Sequence, residues 1–242
     1  MCSEYRHKGR NVILNAERTV LFMAFAIFRV EKLKGSPRGK GTLGQTLRHL
    51  EKHSESAEIS RPDMSKYNYI KGDTNYKNAM KYINKCKEVH KENNPRAVRN
   101  DAPVAIEMVL SYSPNKDNQN IDFFKQFESR AFDFIKKDFP FPVVAYAGHF
   151  DESSFHIHIV SIPYDRQKKR LSAKDVIGGK ANLIRLQNAF ADCCKSLGLQ
   201  RGISKRITKK NHLTKEEHNR QILLQKEQYQ KECHQVAEDI LR

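Results

Sequence analysis

The 242-residue chain has no long hydrophobic segment. Residues 20–28 form an apolar run that follows several basic residues, as in a secretory signal, but Arg29, Glu31 and Lys32 come next without a small-residue cleavage site. A run of nine residues is also far shorter than the roughly 20 that a helix needs to cross a bilayer. The sequence therefore predicts a soluble protein without membrane insertion.

The cysteine spacing of a disulfide-rich protein is also absent. The five cysteines are odd in number, scattered along the chain, and include no Cys-x-x-Cys pair. Such a set indicates free thiols in a reducing compartment, so we expect a cytoplasmic protein.

Acidic residues are scarce relative to basic ones. The chain has 28 Asp and Glu against 44 Lys and Arg, a formal net charge of +16. This excess predicts a polyanionic partner, with nucleic acid favoured over an acidic membrane surface, although charge alone does not separate the two. No internal repeat or low-complexity tract stands out, and the length suits one sizeable domain plus an appendage.

Hydrophobic periodicity predicts strands interleaved with helices. Thr42 can cap a helix in which Leu43, Leu47 and Leu50 share one face. The other predicted elements are strands over residues 25–33 and 102–113 and helices over residues 75–93, 121–139 and 180–197. This alternation, together with the hairpin described next, indicates an α+β domain.

Three of the ten histidines lie within residues 149–158, on a predicted hairpin with a polar turn at residues 151–154. His156 and His158 are two residues apart on one strand, so their side chains project from the same face. His149 returns from the neighbouring strand. Three converging imidazoles can hold a divalent ion and leave its remaining positions open, as catalytic metal sites do.

Other interpretations of these residues remain. They can be surface histidines on an edge hairpin, since histidine is often only partly buried. His149 and Asp151 are also compatible with the two-histidine, one-carboxylate iron site of an oxygenase, although a third histidine on the same face argues against it. A third option is a DNA-binding protein without catalysis that holds a closed, structural metal.

The hairpin reads His-x-Asp-Glu-x-x-x-His-x-His from His149 to His158. This order resembles the metal motif of the Mob/Pre (MobV-type) relaxases, which are plasmid mobilisation and recombination proteins of the HUH endonuclease class. That family usually has proline before the second histidine, where this chain has Phe155. Residues 96–102 and 171–174 are similar to two further family segments, and the resemblance runs in order from about residue 23 to about residue 200.

The resemblance implies an HUH-type fold, with an antiparallel sheet of about five strands, helices mainly on one face and the metal site on the other. It implies an enzyme that nicks and rejoins one DNA strand at a specific site through a covalent protein–DNA intermediate. Mn²⁺ or Mg²⁺ would be bound by His149, His156 and His158. The substrate would be an origin-of-transfer-like site in single-stranded or hairpin DNA.

The stretch from Gly44 to Lys52 resembles the His-x-x-Arg motif of these relaxases, in which the histidine is thought to attack phosphorus. His49 is therefore the predicted nucleophile, and Lys52 keeps the positive charge of the family's arginine. Most HUH enzymes use tyrosine, which makes Tyr69 the alternative nucleophile. Glu152 is predicted to orient a ligand imidazole or a metal-bound water.

Basic residues in three regions are predicted to contact DNA. The regions are a glycine-rich loop before the first helix, the family-like segments, and residues 195–210, which carry six Lys or Arg and no acidic residue. The predicted contacts are Arg38, Lys40, Arg48, Arg96, Arg99, Lys174, Lys205 and Arg206. Residues 1–22 are expected to be a leader of uncertain status, residues 23–200 the relaxase domain, and residues 201–242 a basic segment and a helix that projects or forms a homodimer.

Overall fold

The computed structural model describes residues 24–52, 61–115 and 117–203, together with the exposed helical residues Glu217, Arg220 and Leu224. The chain separates into two units, Met1–Gly202 and Ile203–Arg242. The predicted leader and the predicted DNA contacts Lys205 and Arg206 lie outside the described residues. Within the described ranges, no helix has the length and apolar character needed to span a membrane.

Strands and helices are interleaved along the chain, as the periodicity predicts. In chain order they are β1 Phe25–Leu33, α1 Leu43–Lys52, a 3-10 helix Pro62–Tyr67, β2 Tyr69–Gly72, α2 Tyr76–Asn93, β3 Ala105–Tyr112, α3 Ile121–Asp138, β4 Val143–His149, β5 His156–Ser161, β6 Tyr164–Asp165, β7 Arg170–Leu171, α4 Ala173–Ile177, α5 Lys180–Cys193, a 3-10 helix Lys195–Leu197 and β8 Gln200–Arg201. The helix predicted over residues 180–197 is shorter in the structure. It ends at Cys193, and the following turn reaches Gly198, whose φ of 74° favours glycine.

A six-stranded sheet with the order β2-β4-β5-β3-β1-β8 forms the centre of the domain. Neighbouring strands are antiparallel except β8, which pairs parallel to β1. The α+β class is therefore confirmed. The sheet exceeds the expected five strands because the two-residue strand β8 extends the edge beside β1.

Helix α1 begins as the sequence predicts. The Thr42 hydroxyl oxygen accepts a hydrogen bond from the Gln45 amide at 3.4 Å, and the helix buries Leu43, Leu47 and Leu50. The preceding loop packs tightly on the first turn, since a Cβ atom at Gly44 would lie 2.3 Å from the Pro37 carbonyl oxygen.

Helices cover both faces of the sheet. On one face, α3 and α5 pack phenylalanines against residues such as Met108, Ile157 and Ile159, and we call this the aromatic face. On the other, α1 and α2 pack against small residues such as Ala147 and Val160. His156 and His158 alternate with Ile157 and Ile159, so the histidines share the second face, which we call the histidine face.

Candidate active site at the histidine hairpin

The three histidines of the hairpin meet because β4 ends where β5 begins. His149 pairs directly with His156, and His158 lies one step along the ladder opposite Ala147. The ring centroids are 5.1 Å apart for His149 and His156, 5.0 Å for His149 and His158, and 4.9 Å for His156 and His158. All three rings are buried. The structure thus brings the predicted metal ligands together.

Hydrogen bonds orient two of these rings. Nδ1 of His156 lies 2.9 Å from the Ser154 carbonyl oxygen, and Nδ1 of His158 lies 2.7 Å from the Glu107 carboxylate. A histidine that donates one ring N–H in this way presents the other nitrogen to a metal. Nε2 of His156 lies 3.3 Å from Nδ1 of His149, so these two nitrogens point to the same place.

Glu107 is the partner of His158 that sequence reasoning missed. It lies on β3 beside β5 on the histidine face, and its other oxygen is 3.5 Å from the Thr46 hydroxyl of α1. Burial raises the pKa of the Glu107 carboxyl, and the nearby His49 and the Thr46 hydrogen bond oppose that rise. The available signal was a lone charged residue in a largely apolar central strand.

His49 reaches the same cluster from α1. Its ring centroid is 4.9 Å from that of His158 and 5.6 Å from that of His149, and the residue is half-buried. Nitrogen atoms of His49, His149 and His158 all lie within 4.8 Å of one another. The buried leucines of α1 hold the helix against the sheet and thereby turn His49 towards the strands. This geometry suits either a nucleophile beside a metal or a fourth ligand.

Glu152 lies at the edge of the cluster. Its carboxylate is 3.9 Å from Nε2 of His156, and ligand atoms of His149, Glu152 and His156 lie within 4.8 Å of one another. The neighbouring Asp151 is buried, and its Oδ2 accepts hydrogen bonds of 2.8 Å from both Ser65 and Asn68. These bonds favour a structural role for Asp151 over the carboxylate of an iron site.

Tyr69 lies on the other side of the sheet. It pairs with Gly148 on β4, and because neighbouring residues alternate, its side chain faces α3 while that of His149 faces α1. Its hydroxyl donates to the Glu128 carboxylate of α3. Burial first, and then this hydrogen bond, raises the pKa of the Tyr69 hydroxyl. The structure therefore does not bring the alternative nucleophile to the histidines.

The predicted basic residues near α1 are exposed. Arg38 and Lys40 lie in the loop before the helix, and Arg48 on the helix donates a 2.8 Å hydrogen bond to the Pro37 carbonyl oxygen. Arg48 thus binds the loop to the helix that carries His49. Lys52 is the last residue of α1, and its side chain lies outside the described part of the structure.

The other described basic residues lie in one loop and on a short helix. Arg96 and Arg99 are exposed between α2 and β3, where Arg99 lies 3.2 Å from the Asp101 carboxylate. Lys174 is exposed on α4, whose buried residues Ala173 and Ile177 belong to the aromatic face. Lys174 is therefore on an element that packs away from the histidines.

Comparison with known sequences finds relatives over most of the chain. The profile of the Mob_Pre family, described as plasmid recombination enzyme, matches residues 23–220. A type 3 plasmid recombination enzyme of Staphylococcus aureus is 31% identical over 196 residues, covering 78% of this chain and 46% of the relative. A plasmid recombination enzyme of Lactiplantibacillus plantarum is 32% identical over 195 residues, covering 74% of this chain and 49% of the relative. The chain spans about half the length of the curated relatives it matches.

Solved structures with a similar fold include the MobM relaxase domain bound to plasmid pMV158 oriT DNA of 22 nucleotides with a 3′-thiophosphate, in a Mn-bound crystal structure. It has a TM-score of 0.60 and 24% identity, and the match covers 81% of this chain and 98% of that one. The same domain bound to a 26-nucleotide oriT DNA has a TM-score of 0.55 and 21% identity, with 80% and 99% coverage. These matches support the fold.

Proposed function

Because the chain belongs to the Mob_Pre family of plasmid recombination enzymes, we propose that it is a relaxase that nicks and rejoins one DNA strand at a specific site. The reaction would proceed through a covalent protein–DNA intermediate and would initiate mobilisation or recombination of a plasmid or mobile element. The observation that carries this proposal is the approach of His49 on α1 to His149 and His158 of the hairpin. The net charge of +16 supports a DNA substrate.

The proposed metal ligands are His149, His156 and His158, with Mn²⁺ or Mg²⁺ as the ion. The donor set fits Mn²⁺ better than Mg²⁺, because imidazole is a ligand for first-row transition ions and Mg²⁺ prefers oxygen ligands, while the nearby Glu152 carboxylate suits both. The MobM crystal structure with a similar fold is Mn-bound. When bound, the ion would polarise the scissile phosphate and stabilise charge on its oxygens. Glu152 would orient a ligand or a bound water.

His49 is the proposed nucleophile. Its unprotonated ring nitrogen forms a bond to phosphorus, and the bond from phosphorus to one flanking deoxyribose oxygen breaks. The leaving oxygen gains a proton to become a hydroxyl, and the imidazole loses its remaining ring proton, so charge is balanced. The resulting phosphoramidate keeps the energy of the broken bond for rejoining. Tyr69 is disfavoured because its hydroxyl lies on the aromatic face.

The exposed basic residues around α1 and the loop before β3 are proposed to contact phosphates, and Lys205 and Arg206 are assigned the same role by sequence. Lys52 stays a predicted catalytic residue, whose positive charge would act beside His49 on the scissile phosphate. Binding through residues 195–210 should weaken steeply with salt and at similar cost for specific and unrelated DNA. The origin-of-transfer-like site, the cytoplasmic location and the dimer through the C-terminal helix stay predictions.

One observation favours a second candidate. Ligand atoms of His49, His149 and His158 lie within 4.8 Å of one another, so His49 could act as a further ligand beside the hairpin histidines and close the site, as structural zinc sites are closed. The protein would then be a DNA-binding protein without catalysis. The two functions differ in a measurable way, because His49→Ala should lower zinc affinity only if His49 is a ligand.

The deciding experiment incubates the full chain with supercoiled plasmid that carries the neighbouring genomic region, plus Mn²⁺ or Mg²⁺. We expect nicked circles with protein attached, an adduct that breaks in mild acid as a phosphoramidate does, and no adduct from His49→Ala. An acid-stable adduct that still forms in His49→Ala and is lost in Tyr69→Phe would show that Tyr69 is the nucleophile. DNA binding without nicking under both metals would favour the second candidate.

A further inference from the structure

The turn of residues 150–155 connects the last residue of β4 to the first residue of β5, and thus His149 to His156. Its two ends are anchored by Phe150 and Phe155, which are buried with ring centroids 5.1 Å apart. The polar residues between them lie outside the strands. Several of the hydrogen bonds that hold this backbone come from an earlier part of the chain.

Residues 61–68 provide those bonds. The Arg61 amide donates to the Asp151 carbonyl oxygen at 2.9 Å, and the Phe150 amide donates to the Asn68 side-chain oxygen at 2.7 Å. The Ser65 hydroxyl and the Asn68 side-chain amide both donate to the Asp151 carboxylate at 2.8 Å. The buried carboxylate of Asp151 is thereby a fixed point between the turn and the 3-10 helix.

The Arg61 side chain makes the most specific contacts of the segment. Its Nε and one terminal nitrogen donate to the Glu152 carbonyl oxygen at 3.2 and 2.9 Å, and the other terminal nitrogen donates to the Gln119 side chain at 2.7 Å. The guanidinium lies 4.2 Å from the centroid of the Phe155 ring. A planar guanidinium can stack on a ring while its fixed fork of donors reaches two separate acceptors, an arrangement that a lysine ammonium reproduces only in part.

We propose that Arg61, Ser65 and Asn68 are positioning residues that, with Asp151, clamp the turn and set the metal-binding geometry of the hairpin. This proposal rests on the proposed metal site. The clamp holds the backbone of Glu152, whose carboxylate lies 3.9 Å from His156, and it holds the chain directly after His149. It acts through the turn, so it would pre-order the ligands before an ion binds.

Such an arrangement has a measurable consequence for affinity. Replacing a residue that orients metal ligands typically lowers metal affinity by about 10–100-fold. The pairing of β4 with β5 does not use Arg61, so the hairpin should persist when the clamp is lost. We therefore expect weaker metal binding in a folded protein.

The test measures Mn²⁺ affinity of the full chain by calorimetry, and hydrogen–deuterium exchange of the metal-free protein. Arg61→Ala should lower affinity by about 10–100-fold and speed exchange at residues 150–155. Arg61→Lys should fall between this variant and the unaltered protein, because one ammonium cannot reproduce both hydrogen bonds and the stacking. Arg130→Ala removes an exposed arginine of α3 that pairs with Asp133, and it should change neither quantity.

Unchanged Mn²⁺ affinity together with unchanged exchange in Arg61→Ala would overturn the clamp. If circular dichroism shows that Arg61→Ala does not fold, Ser65→Ala decides instead. That variant removes one hydrogen bond to Asp151 and should lower affinity severalfold, whereas full affinity would overturn the proposal. If the unaltered protein binds no Mn²⁺, the proposed metal site fails, and faster exchange in Arg61→Ala would still support a clamped turn.

Discussion

The two faces of the central sheet differ sharply although the same strands build both. The aromatic face packs large rings such as Phe127 and Phe190 under α3 and α5. The histidine face has Ala145 and Ala147 on β4, and these small residues let α1 approach closely. Close approach is what brings His49 to the hairpin histidines. The aromatic face therefore contributes most of the large buried side chains. The histidine face brings the candidate catalytic and metal-binding histidines together where β4 ends and β5 begins.

Tyr69 and His149 lie close together in the sheet but belong to different faces. Tyr69 pairs with Gly148, one residue before His149, yet the two side chains point to opposite faces. A Cβ atom at Gly148 would lie 2.5 Å from the Tyr69 ring, so glycine is needed at this position for the ring to pack against the strand on the aromatic face. A shift of one residue in register would exchange the two residues, because side chains alternate along a strand.

The largest expected effect is the loss of nicking when the proposed nucleophile is removed, and Mn²⁺ affinity distinguishes this loss from the loss of a metal ligand. His49→Ala should lower nicking by about 1,000-fold or more, since loss of a nucleophile removes most of the catalysis, and should leave Mn²⁺ affinity unchanged. His158→Ala should lower both quantities in a folded protein. Gln45→Ala, on the exposed side of α1, is the matched control. Normal nicking by His49→Ala would contradict the proposal that a residue of the histidine face is the nucleophile.

Truncating a buried side chain of the aromatic face should lower the stability of the fold without changing Mn²⁺ binding by the folded protein. Phe127 is fully buried, with ring centroids 4.8 Å from Tyr112 and 6.0 Å from Phe190. Phe127→Ala should lower the free energy of unfolding by about 3–5 kcal/mol, because it leaves a cavity. Urea unfolding measures this loss. The fraction that remains folded should bind Mn²⁺ normally, and a weakened site would mean that the faces are coupled.

Glu107→Gln tests the hydrogen bond that orients His158. Glutamine keeps the shape but loses the charge of the acceptor at 2.7 Å from Nδ1 of His158. Mn²⁺ affinity should fall by about 10–100-fold, which calorimetry would detect. Glu128→Gln is the matched control, because Glu128 contacts Tyr69 on the aromatic face. Equal losses in the two variants would contradict a specific role for Glu107.

Tyr69→Phe should have the smallest effect. It removes the hydrogen bond to Glu128 and should cost about 1 kcal/mol of stability. Nicking and adduct formation should be unchanged, because the hydroxyl is on the aromatic face. Thermal unfolding and the plasmid assay measure these two outcomes. A large loss of nicking without a loss of stability would place Tyr69 in the reaction.

Much of the fold could be predicted from local patterns. The leucine spacing after Thr42 and the alternation of His156 and His158 with isoleucines depend only on helix and strand periodicity. Both patterns are present in the structure. The helix predicted over residues 180–197 ends at Cys193, and a short 3-10 turn leads from it to Gly198.

Several site residues could not be predicted in this way. Glu107 is 51 residues from His158, and the Arg61 side chain meets a carbonyl oxygen 91 residues away. Their partners depend on the order of strands in the sheet and on the path of residues 61–68 across the hairpin. No periodicity within a single segment encodes either feature.

Local sequence was thus enough to establish the α+β class, the histidine hairpin and the basic charge, because each depends on the spacing or number of residues. Three features depended on the packing of distant segments. They are the choice of His49 over Tyr69 as the nucleophile, the hydrogen bond between Glu107 and His158, and the contact of Arg61 with the turn. The physical reason is that alternation along one strand determines which side chains share a face, and this can be read from local sequence. Which residues they contact depends on the register between strands and on where the helices pack against the sheet.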